Sequence, residues 1–204
     1  MTTRFLLAGA LIVLVALPAA AQNAPEGTPM RIRGTVEKLD GQTLKVKSRE
    51  GQELTIALAP NFTVSAVVKK SLGDIKAGDF VGAASTKGTD GKLHALEVLI
   101  FPEAMRGTGE GERAWDLTAD SLMTNATVAG IAGAAQGQAL KVTYKGGESE
   151  IIVAPSTPVV TFGPGDASLL KPGAAVFIGA VKKPDGSLTA ARVNAEKDGV
   201  KPPM

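Results

Sequence analysis

The chain repeats itself. Residues 41–64 (GQTLKVKSREGQELTIALAPNFTV) align with 137–160 (GQALKVTYKGGESEIIVAPSTPVV) at an offset of 96, and 8 of the 24 positions are identical. Residues 75–98 align with 170–193 at an offset of 95, with 9 of 24 identical. Two passages that keep almost the same spacing restrict the chain to two copies of one small fold. Each copy spans about 70 residues, close to the lower size at which an unaided core holds.

Within each copy the pattern is that of strands. Ile32, Gly34 and Val36 alternate with Arg31, Arg33, Thr35 and Glu37, and Leu44 and Val46 alternate with Lys45, Lys47 and Arg49. Asp40-Gly41, Glu50-Gly51 and Asp90-Gly91 punctuate the first copy; Gly146-Gly147 and Asp185-Gly186 punctuate the second. Such pairs accept the positive φ that tight hairpin turns require. Pro60-Asn61 is expected to break a strand that begins at Leu54, and Ser71 is expected to cap a short helical turn. Gly78 and its counterpart Gly173 are expected in left-handed backbone. The density of hairpin signals without a sustained helical period predicts an all-β protein: two tandem small β-barrels of OB/SH3-like type, closed so that no strand edge is left exposed.

The remaining segments divide the chain further. Arg4, the apolar run Phe5–Leu17 and Ala19-Ala20-Ala21 read as a signal peptide over 1–21, cleaved after Ala21, which predicts a periplasmic protein. A flexible leader is expected over 22–30, barrel one over 31–101, an insertion over 102–123, barrel two over 124–195 and a tail over 196–204. The sequence contains no Cys, so neither disulfides nor thiolate chemistry is available. Without the signal segment 21 basic residues face 20 acidic ones, which argues against electrostatic capture of nucleic acid. No aromatic residue interleaves with Arg31, Arg33, Lys45, Lys47 and Arg49, so these are expected to form a solvated strand face.

The string Leu72…Asp74-Ile75-Lys76-x-Gly78-Asp79-x-Val81, followed by Asp90-Gly91-x-Leu93-x-Ala95-x-x-Val98, resembles the small OB-like or SH3-like barrels of bacterial exported proteins. The second copy carries the same resemblance through Leu170-Lys171-x-Gly173-x-x-Val176 and Asp185-Gly186-x-Leu188-x-Ala190-x-x-Val193. With FPEAMRGTGEGERAWDL between the copies, the chain is similar to a family of alphaproteobacterial periplasmic proteins of unknown function. Relatives of that kind sometimes carry a metal transport permease label. The residues speak against it, because a permease needs several spanning helices and the sequence after residue 21 offers none. The resemblance rests on turn glycines and core aliphatics; it implies a fold and transfers no catalytic residue.

Chemistry is therefore sought in the segment that is not duplicated. Residues 102–123 hold the sole Trp, Trp115, two of five Met, two Arg and three Glu. Loops of this composition on a rigid scaffold are where binding is usually found. Two roles are open: a linker whose Met105, Trp115, Leu117 and Leu122 pack between the barrels, or a binding lip. In the second, Trp115 stacks on a ligand while Arg106 or Arg113 clamps an anion beside Asp116. A metal would have to draw on His94, the sole His, with Glu103 and Met105, or with Met123, Glu110, Glu112 or Asp116; no ligand spacing supports it. Glu110 and Glu112 alternate with glycines, a poor frame for paired-acid hydrolysis. Gly107-x-Gly109-x-Gly111 does not open a helix after a strand, so it is not a dinucleotide loop, and no cofactor is expected. The expectation is an exported, non-catalytic binding or scaffolding protein of the cell envelope, contacting a partner protein or an envelope polymer through Arg106, Arg113, Trp115 and Asp116. The alternatives are a periplasmic small-molecule or metal-ion binding protein using the inter-barrel groove and, further off, a hydrolase.

Overall fold

The computed structural model describes residues 27–135 and 137–202. The expected signal segment, 1–21, lies outside them. Among the described residues no helix is long and apolar enough to cross a membrane. The protein is all-β. Its strands are β1 (Thr28–Asp40), β2 (Thr43–Ser48), β3 (Glu53–Lys70), β4 (Phe80–Lys87), β5 (Leu93–Ile100), β6 (Gly111–Ala114), β7 (Leu122–Ala134), β8 (Gly137–Tyr144), β9 (Gly147–Val153), β10 (Val159–Gly165), β11 (Ala175–Lys182) and β12 (Leu188–Ala195).

The hairpin signals fall where the chain turns. Gly41, Gly51, Gly91, Gly146 and Gly186 all take positive φ between paired strands. Gly78 and Gly173 adopt φ of +91° and +89°, and a Cβ added at either would meet nothing within 4 Å. The glycine requirement there is thus one of backbone conformation alone, not of crowding.

The two barrels do not coincide with the two repeats. One ring closes through β1–β2, β2–β3, β3–β12, β12–β11 and β11–β1. The other closes through β4–β5, β5–β9, β9–β8, β8–β7 and β7–β4. Each barrel therefore takes three strands from one copy and two from the other, and the expected barrels over 31–101 and 124–195 are corrected accordingly. The cores obey the same exchange. Ile32, Val36, Leu44, Val46 and Ile56 pack with Val176, Ile178, Leu188 and Val193. Val81, Ala83 and Val98 pack with Val128, Leu140, Val142, Ile151 and Val153.

In the first copy β3 itself spans the two barrels. It runs unbroken for 18 residues, about 60 Å at roughly 3.3 Å per residue. That length carries the chain out of the first barrel and delivers β4 and β5 to the second. The expected break at Pro60 does not occur. Along β12, Ala190 pairs with Leu58 and Arg192 with Thr63, so residues 59–62 bulge opposite a single residue. Pro60, which has no N–H to give a ladder, sits exposed in that bulge and interrupts nothing. In the second copy the corresponding stretch, with Pro155 and Pro158, does separate β9 from β10.

The barrels meet where the second half of β3 pairs antiparallel with β10. Val67 faces Phe162, the position 95 residues later, so the halves are related by a local two-fold at that pair. Val67, Leu99 and Val160, with Phe101, Phe162 and Val200, form the apolar seam there. Three further boundaries shift. Thr28–Met30, expected in the flexible leader, pair with β11. Leu122 and Met123, expected in the insertion, begin β7. In the expected tail, Glu196 bonds to Ala175, and Val200 packs on the seam.

Candidate functional site

Alternation along a barrel strand turns every second side chain outward. On β11 and β12, Val176, Ile178, Val193 and Ala195 point into the first core, which turns Phe177, Gly179 and Asn194 out. On β7, Ala126 and Val128 face the second core, which turns Met123 and Asn125 out. These outward sets face one another across the seam and, with Phe101 and Phe162, bound a pocket of about 220 Å³. Met105, Thr108, Arg113 and Trp115 of the insertion form its remaining wall, and Arg192 lies at its rim.

The insertion is held over this pocket at several points. Asn125 Nδ2 donates to the Thr108 carbonyl at 2.9 Å, and within the insertion Arg113 Nη1 donates to the Gly109 carbonyl at 2.7 Å. β6 pairs with β7 from Gly111↔Asn125 to Ala114↔Leu122. Glu112 accepts from Thr124 and Ser149, and Glu110 accepts from the Lys145 amide. Both glutamates thus tie the insertion to the second barrel and do not stand opposed across a cleft. At the far end, Asp116 docks on the first barrel. Arg33 Nη2 donates to Asp116 Oδ1 at 2.9 Å, Arg31 lies 3.9 Å from Oδ2, and Arg49 donates to the Asp116 carbonyl at 2.7 Å.

Trp115 is half-buried in a basic surround. The guanidinium carbons of Arg31, Arg113 and Arg33 lie 4.0, 5.5 and 5.7 Å from its ring centroid, within cation–π reach. Arg33 also lies 5.1 Å from the Phe177 ring. The arginines expected on a solvated face are therefore recruited by the insertion; Arg33 keeps only 11% of its side chain exposed. Burial pushes the Asp116 carboxyl up, but its hydrogen bond from Arg33 and that cation's charge outweigh burial, and the net direction is down. Burial lowers Arg113, and the charge of Arg31 adds to it. Glu97, on β5, is 3% exposed; burial pushes its carboxyl up to about 8, opposed only in part by the charge of Arg33.

Several buried polar atoms around the pocket find no partner among the described residues. Trp115 Nε1, Asn125 Oδ1 and Asn194 Oδ1 belong to residues of its lining. Arg33 Nε, on the cation beside Trp115, and Glu97 Oε1, within reach of the Arg33 charge, complete the set. A larger hollow of about 860 Å³ lies between Lys69–Leu72, the 155–160 stretch and Asp198–Pro202. It has no aromatic lining and none of the unpartnered atoms, so the smaller pocket is the better candidate.

Of the expected contact residues, Arg113, Trp115 and Asp116 come together. Arg106 has other partners: it donates to both Glu103 oxygens, at 2.6 and 2.7 Å, and to the Gly78 carbonyl. The residues considered for a metal are dispersed among different partners. His94 Nε2 contacts Asp90 at 3.0 Å, Glu103 holds Arg106, and Met105 lines the pocket. Among the described residues no three His, Cys, Asp or Glu gather at one point. Sequence reasoning missed Arg33, Glu97, Phe101, Asn125, Phe162, Phe177, Arg192 and Asn194. Fold and site together define a two-barrel β-protein with an aromatic, arginine-bearing pocket at the junction. Comparison of the chain with protein-family models, with curated proteins and with solved structures finds no match.

Proposed function

We propose that the protein is a non-catalytic binding protein of the cell envelope and that the Trp115 pocket is where it takes up its ligand. The observation that carries this reading is the lining: aromatic and Met side chains line a half-open cavity, and its residues carry Trp115 Nε1, Asn125 Oδ1 and Asn194 Oδ1, buried without partners among the described residues. A buried polar group left unpaired costs about 1–3 kcal/mol, and a ligand that pairs it recovers part of that. Mostly apolar walls with a few convergent polar groups are what small-molecule sites require. The small-molecule form of the reading is favoured over scaffolding because the residues that carry these atoms line one concave site and not an open face. Export rests on the sequence of 1–21.

Trp115, being the sole Trp, reports on its own pocket. Thermal unfolding should be measured with a library of small organic acids, amides and sugars while Trp115 emission is followed. The expected result is a saturable rise in Tm accompanied by a change in Trp115 emission, with the rise abolished in Trp115→Ala. A ligand whose stabilisation survives that substitution would place the binding site elsewhere and overturn the reading.

A further inference from the structure

The cations around the pocket fall into two groups. Arg31 and Arg33 share Asp116, Arg49 pairs with Glu50, and Arg106 pairs with Glu103. Arg113 and Arg192 line the pocket and, among the described residues, form no ion pair. Arg113 is half-buried and shares the Trp115 ring with Arg31, so like charges gather around one indole. Burial and the charge of Arg31 both disfavour its ionised form, which an anion beside it would restore. The indole N–H adds a buried donor that needs an acceptor, and the two asparagine oxygens need a donor.

Shape narrows the choice further. A cavity of about 220 Å³ falls below the range of roughly 300–1,000 Å³ that holds drug-sized ligands, so one ring or two fused rings is the natural occupant. Four aromatic side chains, from Phe101, Trp115, Phe162 and Phe177, favour a flat body over an aliphatic one.

Resting on the pocket reading above, we infer that the ligand is a small aromatic carboxylate bearing a hydroxyl or ring N–H. Its ring lies among Trp115, Phe101, Phe162 and Phe177, its carboxylate meets Arg113 and, at the rim, Arg192, and its donor serves Asn125 or Asn194. A guanidinium binds a carboxylate through charge-assisted, often bidentate hydrogen bonds, which a neutral amide cannot reproduce.

The test compares 4-hydroxybenzoate with 4-hydroxybenzamide, cyclohexanecarboxylate and inorganic phosphate, by calorimetry and Trp115 emission on the purified protein. The expected result is that 4-hydroxybenzoate binds at least about tenfold more tightly than the amide, the ratio that one charge-assisted contact supplies. Arg113→Gln should erase that ratio while leaving amide binding in place. Arg192→Gln, at an exposed position that does not endanger the fold, should reduce the ratio. Equal affinity for the acid and the amide, both lost in Trp115→Ala, overturns the carboxylate inference and leaves the pocket reading standing. Binding of phosphate or cyclohexanecarboxylate as tight as that of 4-hydroxybenzoate removes the aromatic part of the inference. No Trp115 response to acid or amide, while other ligands do produce one, also overturns it; no response to any ligand overturns both readings.

Discussion

Glu97 is the residue whose environment departs furthest from what its type prefers. It is buried on β5 with one oxygen unpartnered, and its carboxyl is pushed up to about 8 by desolvation. The folded state therefore holds a proton on Glu97 at pH values where the unfolded chain, titrating near 4.5, has released it. Folding takes up a proton in that window, so this group makes stability fall as pH rises from about 4.5 to about 8, and the slope vanishes on either side. A tenfold change in proton affinity is worth about 1.4 kcal/mol, which puts the whole effect at a few kcal/mol. Glu97→Gln is expected to flatten Tm between pH 5 and 8 and to exceed the parent in stability at pH 8. Thermal unfolding across that range checks it; a flat parent profile would contradict the burial argument. The sequence held a trace of this position. In the 95-residue alignment Glu97 faces Arg192, Gly82 faces Phe177 and Leu99 faces Asn194, while Val81/Val176, Leu93/Leu188 and Val98/Val193 agree. Core positions agree because both barrels impose the same demand. Of the divergent ones, Phe177, Arg192 and Asn194 line the groove and Leu99 packs in its seam, and alternation alone could not say that this outward face is covered.

At the scale of elements, turns were legible and strand partners were not. Asp-Gly and Gly-Gly pairs mark hairpins because the backbone demand is local. Pro60 misled because its effect depends on whether a partner strand needs its missing N–H, which is a tertiary fact. Gly78 and Gly173 show the local rule acting twice: each precedes the first strand of an exchanged hairpin, at φ of +91° and +89°. Gly78→Ala and Gly173→Ala are each expected to cost about 1–2 kcal/mol through backbone strain alone, since no neighbour meets the new methyl. Urea denaturation of the two variants should give similar losses; an unchanged midpoint in either would deny the strained-turn assignment. The insertion was legible as the place to look, because the sole Trp and its flanking charges stand outside the repeat. Its anchor was not, since Arg31 and Arg33 read as a strand's solvent face until Asp116 is laid across them. Exposure of 44% at Asp116 limits that ion pair to roughly 0–1 kcal/mol, so the anchor orients the insertion more than it stabilises the fold.

The whole molecule is two closed barrels that neither copy can build alone. With β4 and β5 seated in one ring and β11 and β12 in the other, the cores should melt as one cooperative unit. A protease site placed in the exposed Gly107–Glu110 stretch offers a direct check. After cleavage the fragments are expected to co-elute as one native species and to separate only in denaturant, with a single thermal transition before and after. Fragments that part under native conditions, or two resolved transitions, would mean that the exchange of strands does not bind the halves together. The exchange has a bearing on how such a pocket could arise. Two separate copies of a single repeat, trading hairpins in the same way, would meet about a true two-fold, and every residue on one wall of their groove would be mirrored on the other. Joining the copies in one chain lifts that constraint. Phe177 can stand where the first copy has Gly82, and Arg192 where it has Glu97, so the two walls of one groove need not match, as they must in a symmetric pair.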